Sequence, residues 1–390
     1  LFSGRTPASL SPNRLTQALA ELKAAGAPIL DLTVSNPTRE GIAYPREEIL
    51  AALQDARSLT YEPTARGLLE AREAIAEWHA GQGAAADPAS LILAGSTSEA
   101  YGWLFKLLCE PGDAVLVPRP SYPLFECLAE LDSVRVVQYP LIEELAWGLD
   151  LSELDRLVRP ETRAIILVNP NNPTGTYLKR DIWLRLQEFA AYRGLAIISD
   201  EVFFDYAWRA DPRRTSALHG PQLALTFTLS GLSKISGLPQ MKLGWIHVDG
   251  PAQLKAEALD RLEWIADSYL PVSAPTQHAA ARWLELTPRI QDSIRLRTAE
   301  NLESLQAAVG VGGSCRVRTP EGGWCAMLEV PRIHSDEEWA LMLLENHSIW
   351  LQPGYFYDFQ REGFLVASLL PEPEAFRAAL LRLTGIFRPH

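Results

Sequence analysis

Residues 163–200 read RAIILVNPNNPTGTYLKRDIWLRLQEFAAYRGLAIISD. A β-type run, Arg163–Val168, apolar from Ala164 onward, ends in a polar, proline-stiffened loop. Apolar positions then recur at three- and four-residue spacing through Arg180–Tyr192, and a second apolar run, Leu195–Ser199, follows. Period and length give strand, helix, strand. Neither strand alternates apolar with polar residues, so both faces of each are expected to be covered, as in a parallel sheet joined by crossover helices. This is one βαβ unit.

The same pattern extends outward in both directions. Strands are expected at Leu91–Ala94, Ala114–Val117, Val134–Gln138, Ala224–Leu229 and Leu243–Val248, with Glu99–Cys109 among the helices between them. The expected class is α/β: a large domain with a mainly parallel sheet sandwiched by helices, over residues 46–290. After Pro251 the pattern turns helical, and then Arg316–Val330, Ile349–Gln352 and Phe364–Leu369 read as strands, with a helix at Asp336–Glu345. With an amphipathic helix at Pro12–Ala25, residues 1–45 and 291–390 are expected to form a smaller α+β domain.

Composition narrows the functional classes. The chain has 390 residues, 47% hydrophobic and 22% charged, which suits a folded globular protein of two or three domains. Its net charge of −12 repels phosphate backbones and anionic bilayers, so neither nucleic acid nor membrane is an expected partner. Four scattered cysteines make no disulfide framework. No apolar run reaches the ~18 residues of a membrane span. The opening segment LFSGRTPASLSPNRL lacks the basic-then-apolar order of a signal, and a cytoplasmic location is expected. Gly310-Val311-Gly312-Gly313-Ser314-Cys315 fails the dinucleotide-binding G-x-G-x-x-G at its last position. Gly231-Leu232-Ser233-Lys234-Ile235 fails the hydrolase G-x-S-x-G, and the seven histidines form no H-E-x-x-H, so no metal is expected.

Ligands of open parallel sheets sit beyond the carboxyl ends of the strands. Five segments there carry unusual chemistry. Gly95-Ser96-Thr97-Ser98-Glu99 opens a helix and offers hydroxyls and free N–H groups to an anion, or simply a capping box of Ser96 with Glu99. Pro118-Arg119-Pro120-Ser121-Tyr122-Pro123 presents Tyr122 as a ring able to stack on a flat ligand or on the core. Asn169-Pro170-Asn171-Asn172-Pro173-Thr174-Gly175 holds more polar and rigid residues than a plain turn needs. Asp200 and Glu201 stand at the mouth of a buried strand, where a carboxylate can hold a protonated ring nitrogen or cap a helix. Ser230-Gly231-Leu232-Ser233-Lys234 places a lysine, one of only six in the chain, in a small-residue loop, with Lys242 eight positions on. A desolvated lysine there sheds its proton and becomes a nucleophile for a carbonyl.

Together these segments make one pyridoxal phosphate site. Asn-Asn-Pro-Thr-Gly, then Ser-Asp-Glu-Val, then Ser-Lys with a cation eight residues later resembles the class I/II aminotransferases of the fold-type I pyridoxal phosphate enzymes, from about Ser35 to Ser368. The resemblance implies that Lys234 forms the Schiff base and shuttles the proton, and that Asp200 keeps the pyridine nitrogen protonated. It implies that Asn172 donates to the cofactor's O3′, that Tyr122 stacks on the ring, and that Ser96, Thr97 and Lys242 hold the phosphate. Tyr61 looks like the tyrosine that reaches a neighbouring subunit's phosphate, so a homodimer is implied. The implied reaction moves an amino group from an amino acid to a 2-oxo acid. Decarboxylation or C–S/β-elimination on the same fold is the alternative, and a non-catalytic sensor a more distant one.

Four positions depart from the family pattern. Phe203 stands where many relatives have a tyrosine donating to O3′. Gly231 replaces a serine, which shifts the expected phosphate contact to Ser230 or Ser233. Lys242 replaces an arginine, keeping the charge and losing the fork. The family's arginine for the substrate carboxylate falls on Val366, so either that anion needs another anchor, for which Ser35, Arg39 and Arg119 are the candidates, or the substrate lacks one.

Overall fold

The computed structural model describes residues 1–7, 9–309 and 314–387; the Gly310–Gly313 run discussed above lies outside them. The chain enters through a helix, Arg14–Ala24, whose N-cap Asn13 accepts from the Thr16 N–H, and strand β1 (Leu30–Asp31). The central sheet has eight strands: β2 (Leu91–Ala94), β3 (Ala114–Arg119), β4 (Arg135–Ile142), β5 (Gly148–Leu149), β6 (Thr162–Val168), β7 (Ala196–Asp200), β8 (Thr226–Gly231) and β9 (Gly244–Asp249). Their spatial order is β2-β9-β8-β7-β6-β3-β4-β5. Strands β2, β8, β7, β6, β3 and β4 run one way, and β9 and β5 run against them. The α/β class and the mainly parallel sheet hold.

Burial explains the unbroken apolar runs. Ile166 and Ile198 lie on one face with Phe227 and Leu229, against the helices Thr97–Leu108 and Ala252–Tyr269. Ile165 and Ile197 lie on the other, against Arg180–Arg193. All four isoleucines are 0% exposed, each burial stabilising the fold by about 1.5–3 kcal/mol. Two expectations are corrected. The strand expected at Val134–Gln138 runs on to Ile142 and pairs with β5, which at two residues is too short to show a period. The run Arg316–Val330 is a hairpin, β10 (Arg316–Arg318) and β11 (Cys325–Glu329), because Gly323, at φ +86, turns the chain between them.

The remaining strands, β12 (Ile349–Trp350), β13 (Gln352–Pro353) and β14 (Phe364–Ser368), complete the C-terminal unit. A four-stranded antiparallel sheet has the order β10-β11-β14-β13, while β1 pairs in parallel with β12. Leu15 and Leu32 share a core with Leu343, Ile349 and Leu365, so the N-terminal segment packs on the C-terminal unit. The 36-residue helix Ala274–Val309 passes through residue 290, and the domain boundary read from sequence falls inside it.

Candidate active site

The carboxyl ends of β2, β3, β6, β7 and β8 meet at one edge of the sheet. Strand β9 runs the other way, so Lys242, just before it, arrives at that same edge. With the ends of β11, β13 and β14, these segments enclose a cavity of about 450 Å³.

At one end the backbone itself shapes the cavity. A Cβ on Gly244 would stand 3.0 Å from the Ser96 carbonyl carbon and 3.1 Å from the Thr97 nitrogen, and one on Gly231 would stand 2.8 Å from the Leu243 oxygen. Only glycine lets β2, β8 and β9 converge so closely. Ser96 is the N-cap of the helix that begins at Thr97, its Oγ accepting the Glu99 N–H at 3.1 Å, while Glu99 Oε2 accepts the Gly95 N–H at 2.6 Å. Ser96 therefore caps the helix, but Glu99 reaches back to Gly95 rather than to Ser96, so the expected capping box is not closed; the helix start still faces the cavity with its positive end. Lys242 lines the same end in the left-handed region, φ +55, and makes no ion pair among the described residues.

The polar loop after β6 divides its work. Asn169 donates to Glu201 Oε1 at 3.0 Å and to the Thr215 oxygen at 2.9 Å; Asn171 donates to the Pro120 oxygen and to Thr174 Oγ1, both at 3.0 Å. Asn172 lines the cavity, and its buried Oδ1 has no partner. Two asparagines build the loop, and the third makes no side-chain hydrogen bond among the described residues.

Asp200 ends β7. It accepts from the Val202 N–H and the Tyr101 hydroxyl, each at 3.2 Å. Burial pushes its carboxyl up from 3.8 to about 6, and these donors and Lys234 only partly offset that. Lys234 stands across the cavity with its Nζ 5.4 Å from the Phe203 ring centre and 5.2 Å from that of Trp324. Burial lowers its affinity for a proton, while Cys325 and Asp200 oppose that. Its carbonyl accepts from the Tyr206 hydroxyl at 2.8 Å, and Tyr206 and Phe203 both pack edge-on against Trp324.

Ser35, Ser96, Thr97, Tyr122, Asn172, Asp200, Ser233, Lys234 and Lys242 thus line one cavity. Four expected contacts do not. Ser230 precedes Gly231 in β8, and with the period of two along a strand its side chain points to the opposite face, into a small cavity beside Glu201 and Ser216. Arg39 is exposed at the end of the turn Pro37–Arg39. Arg119 closes β3 beside Pro140, with its Nε buried and unpaired, outside the cavity. Tyr61, 70% exposed, lines a separate cleft with Arg57, Glu70 and His278. Val366 is buried between Met327 and Gln352 and offers no donor.

Sequence reading missed Tyr101, Trp324, Cys325, Gln352 and Tyr357. Tyr101 lies four residues after Thr97, one helical turn on and on the same face, so its spacing was a usable signal. The others come from the C-terminal sheet, and no local pattern ties them to Lys234.

The family model for aminotransferase class I and II matches residues 27–378. The chain belongs to the class I and II aminotransferases. This aminotransferase is 28% identical over 374 residues to the glutamate-pyruvate aminotransferase AlaA of Haemophilus influenzae, covering 93% of this chain and 91% of the relative. It is 25% identical over 359 residues to mouse tyrosine aminotransferase, covering 88% of this chain and 78% of the relative. The solved alanine aminotransferase of Pyrococcus furiosus shares its fold, with a TM-score of 0.88 at 23% identity and 99% of each chain covered. The family works with pyridoxal phosphate, and the site of this aminotransferase fits that group: a buried lysine, an unpartnered Asn172, and a glycine-narrowed cradle beside a helix start.

Proposed function

We propose that Lys234, Asp200 and Asn172, meeting in the cavity at the sheet's carboxyl edge, carry the amino transfer of this enzyme. The observation that supports this most directly is Asn172, which lines the cavity with a lysine and a carboxylate, makes no side-chain hydrogen bond among the described residues and so keeps its Nδ2 hydrogens for a ligand, with its Oδ1 buried. In the proposed arrangement Ser96, Thr97, Ser233 and Lys242 would hold the phosphate, Tyr122 would offer its ring to the cofactor's, the Asn172 Nδ2 would donate to O3′, and Asp200 would pair with the ring nitrogen. Bound pyridoxal phosphate supplies an electron sink for negative charge at the substrate's α-carbon.

The chain's own residues do the rest. Lys234, with its proton affinity lowered by burial, is the base that takes the α-proton and returns it. Asp200 keeps a positive partner protonated, since a buried carboxylate favours a cation opposite it. Phe203, Trp324 and Phe125 cover the cavity walls with rings and exclude water from the reacting end.

The same proposal extends to assembly and place. Tyr61 and its cleft, away from Lys234, suit a residue that completes a second subunit's site in a homodimer. The four cysteines are all free, which suits the cytoplasm, and no described helix is long and apolar enough to cross a membrane. The relatives' names make alanine and glutamate the first donors to test, with pyruvate and 2-oxoglutarate as acceptors.

Reduction of the pyridoxal phosphate-loaded protein with borohydride, followed by peptide mapping, is expected to label Lys234. Product analysis with each donor is expected to give the oxo acid rather than carbon dioxide or free ammonia. A label elsewhere, or none, refutes the site.

A further inference from the structure

Two cations line the cavity among the described residues, Lys234 and Lys242, and the roles proposed above engage both. An amino acid also brings a carboxylate, and no arginine lines the cavity to receive it. A buried carboxylate without a donor costs several kcal/mol, so some group must meet it.

The wall built by the C-terminal sheet offers one. Gln352 in β13 lies beside Val366 of β14, and Ser368, two residues on, lines the cavity with it. The Tyr357 hydroxyl donates to Gln352 Oε1, and it makes no other hydrogen bond among the described residues. Tyr357 is only 5% exposed, and a buried hydroxyl proton needs its acceptor. The amide oxygen is therefore engaged by the tyrosine, which leaves the Nε2 hydrogens, with no acceptor among the described residues, for whatever enters the cavity. The pair is itself held in place: the Tyr357 carbonyl accepts from the Ser121 N–H at 2.9 Å, tying it to the loop that carries Tyr122.

We propose that Gln352, oriented by Tyr357, donates to the substrate's α-carboxylate, so that this anion is met by a neutral donor rather than an ion pair. This rests on the aminotransferase site proposed above. An amide donor avoids leaving a guanidinium buried and unpaired when no substrate is bound. Gln352 touches the substrate in this scheme; Tyr357 is a positioning residue that fixes which end of the amide faces inward.

The test uses the cofactor-loaded enzyme, L-alanine as donor and pyruvate's non-reactive analogue propionate as a carboxylate probe in titration calorimetry. Gln352→Leu is expected to raise the KM for alanine and weaken propionate binding by about ten- to a hundredfold, the effect of losing a hydrogen bond to a charged group, with a smaller fall in kcat. Tyr357→Phe frees the amide to rotate and is expected to move both readouts the same way by a smaller factor. Gln352→Glu sets like charges together and is expected to lose propionate binding outright. Alanine KM and propionate affinity within twofold of wild type in Gln352→Leu and Tyr357→Phe would overturn the assignment. If the wild type forms no oxo acid from any donor, the aminotransferase site itself falls; if it does and the variants behave as wild type, only the Gln352 role falls.

Discussion

Replacing Asp200 with asparagine is expected to stabilise the fold of the cofactor-free protein and to abolish the activity of the loaded enzyme. The carboxyl rises from 3.8 to about 6 on folding, because burial outweighs the Val202 and Tyr101 donors. At about 1.36 kcal/mol per pKa unit, holding the ionised group in the folded chain costs about 3 kcal/mol. A group whose folded value is raised binds its proton more tightly in the folded state, so its contribution is intact below pH 3.8, declines as pH rises, and is lost above about 6. Asparagine keeps the acceptor for the Val202 N–H and carries no charge. Urea unfolding of wild type and Asp200→Asn from pH 4 to pH 8 therefore should show the variant ahead by roughly 2–3 kcal/mol at pH 8, with the gap closing toward pH 4. Saturating pyridoxal phosphate should reverse the order, since its protonated ring nitrogen pairs with aspartate and not with asparagine. Equal stabilities at pH 8, or a gap that does not change with pH, would refute the reasoning.

Tyr101→Phe removes one of the two donors to Asp200, so the activity profile should shift its acidic limb upward, read as log kcat against pH. Phe203→Tyr restores a donor near O3′, and the midpoint of a spectral pH titration of the loaded enzyme should fall; equal midpoints count against a role for Phe203. Gly231→Ser introduces a Cβ 2.8 Å from the Leu243 oxygen, and should cost about 1–3 kcal/mol in urea unfolding and weaken cofactor binding, rather than improve it by adding a hydroxyl. Lys234→Ala should leave a folded protein that binds pyridoxal phosphate reversibly and forms no borohydride-stable adduct.

The local features of this protein were legible because they depend on neighbours in the chain. Apolar runs such as Ala164–Val168 signalled strands covered on both faces, and the segments after the strands placed Ser96, Asn172, Asp200 and Lys234 at one sheet edge. Strand β5 escaped because two residues carry no period, and the hairpin of β10 and β11 because a continuous β-type stretch hides the glycine that folds it. Ser230 was misplaced by a single position: along a strand, one residue decides which face a side chain takes.

Which side chains meet across the cavity was decided by tertiary structure alone. Nothing in the spacing joins Gln352 and Tyr357 to Lys234, more than a hundred residues earlier; the pairing of β13 with β14 and the bond from Ser121 to Tyr357 bring them together. The sequence by itself determined the elements and the chemistry at their ends, because periodicity and turn propensity act over a few residues. The shape of the cavity, the pinned amide and the partnerless Asn172 came only with the fold, because burial and hydrogen-bond satisfaction depend on groups that the chain brings together from far apart.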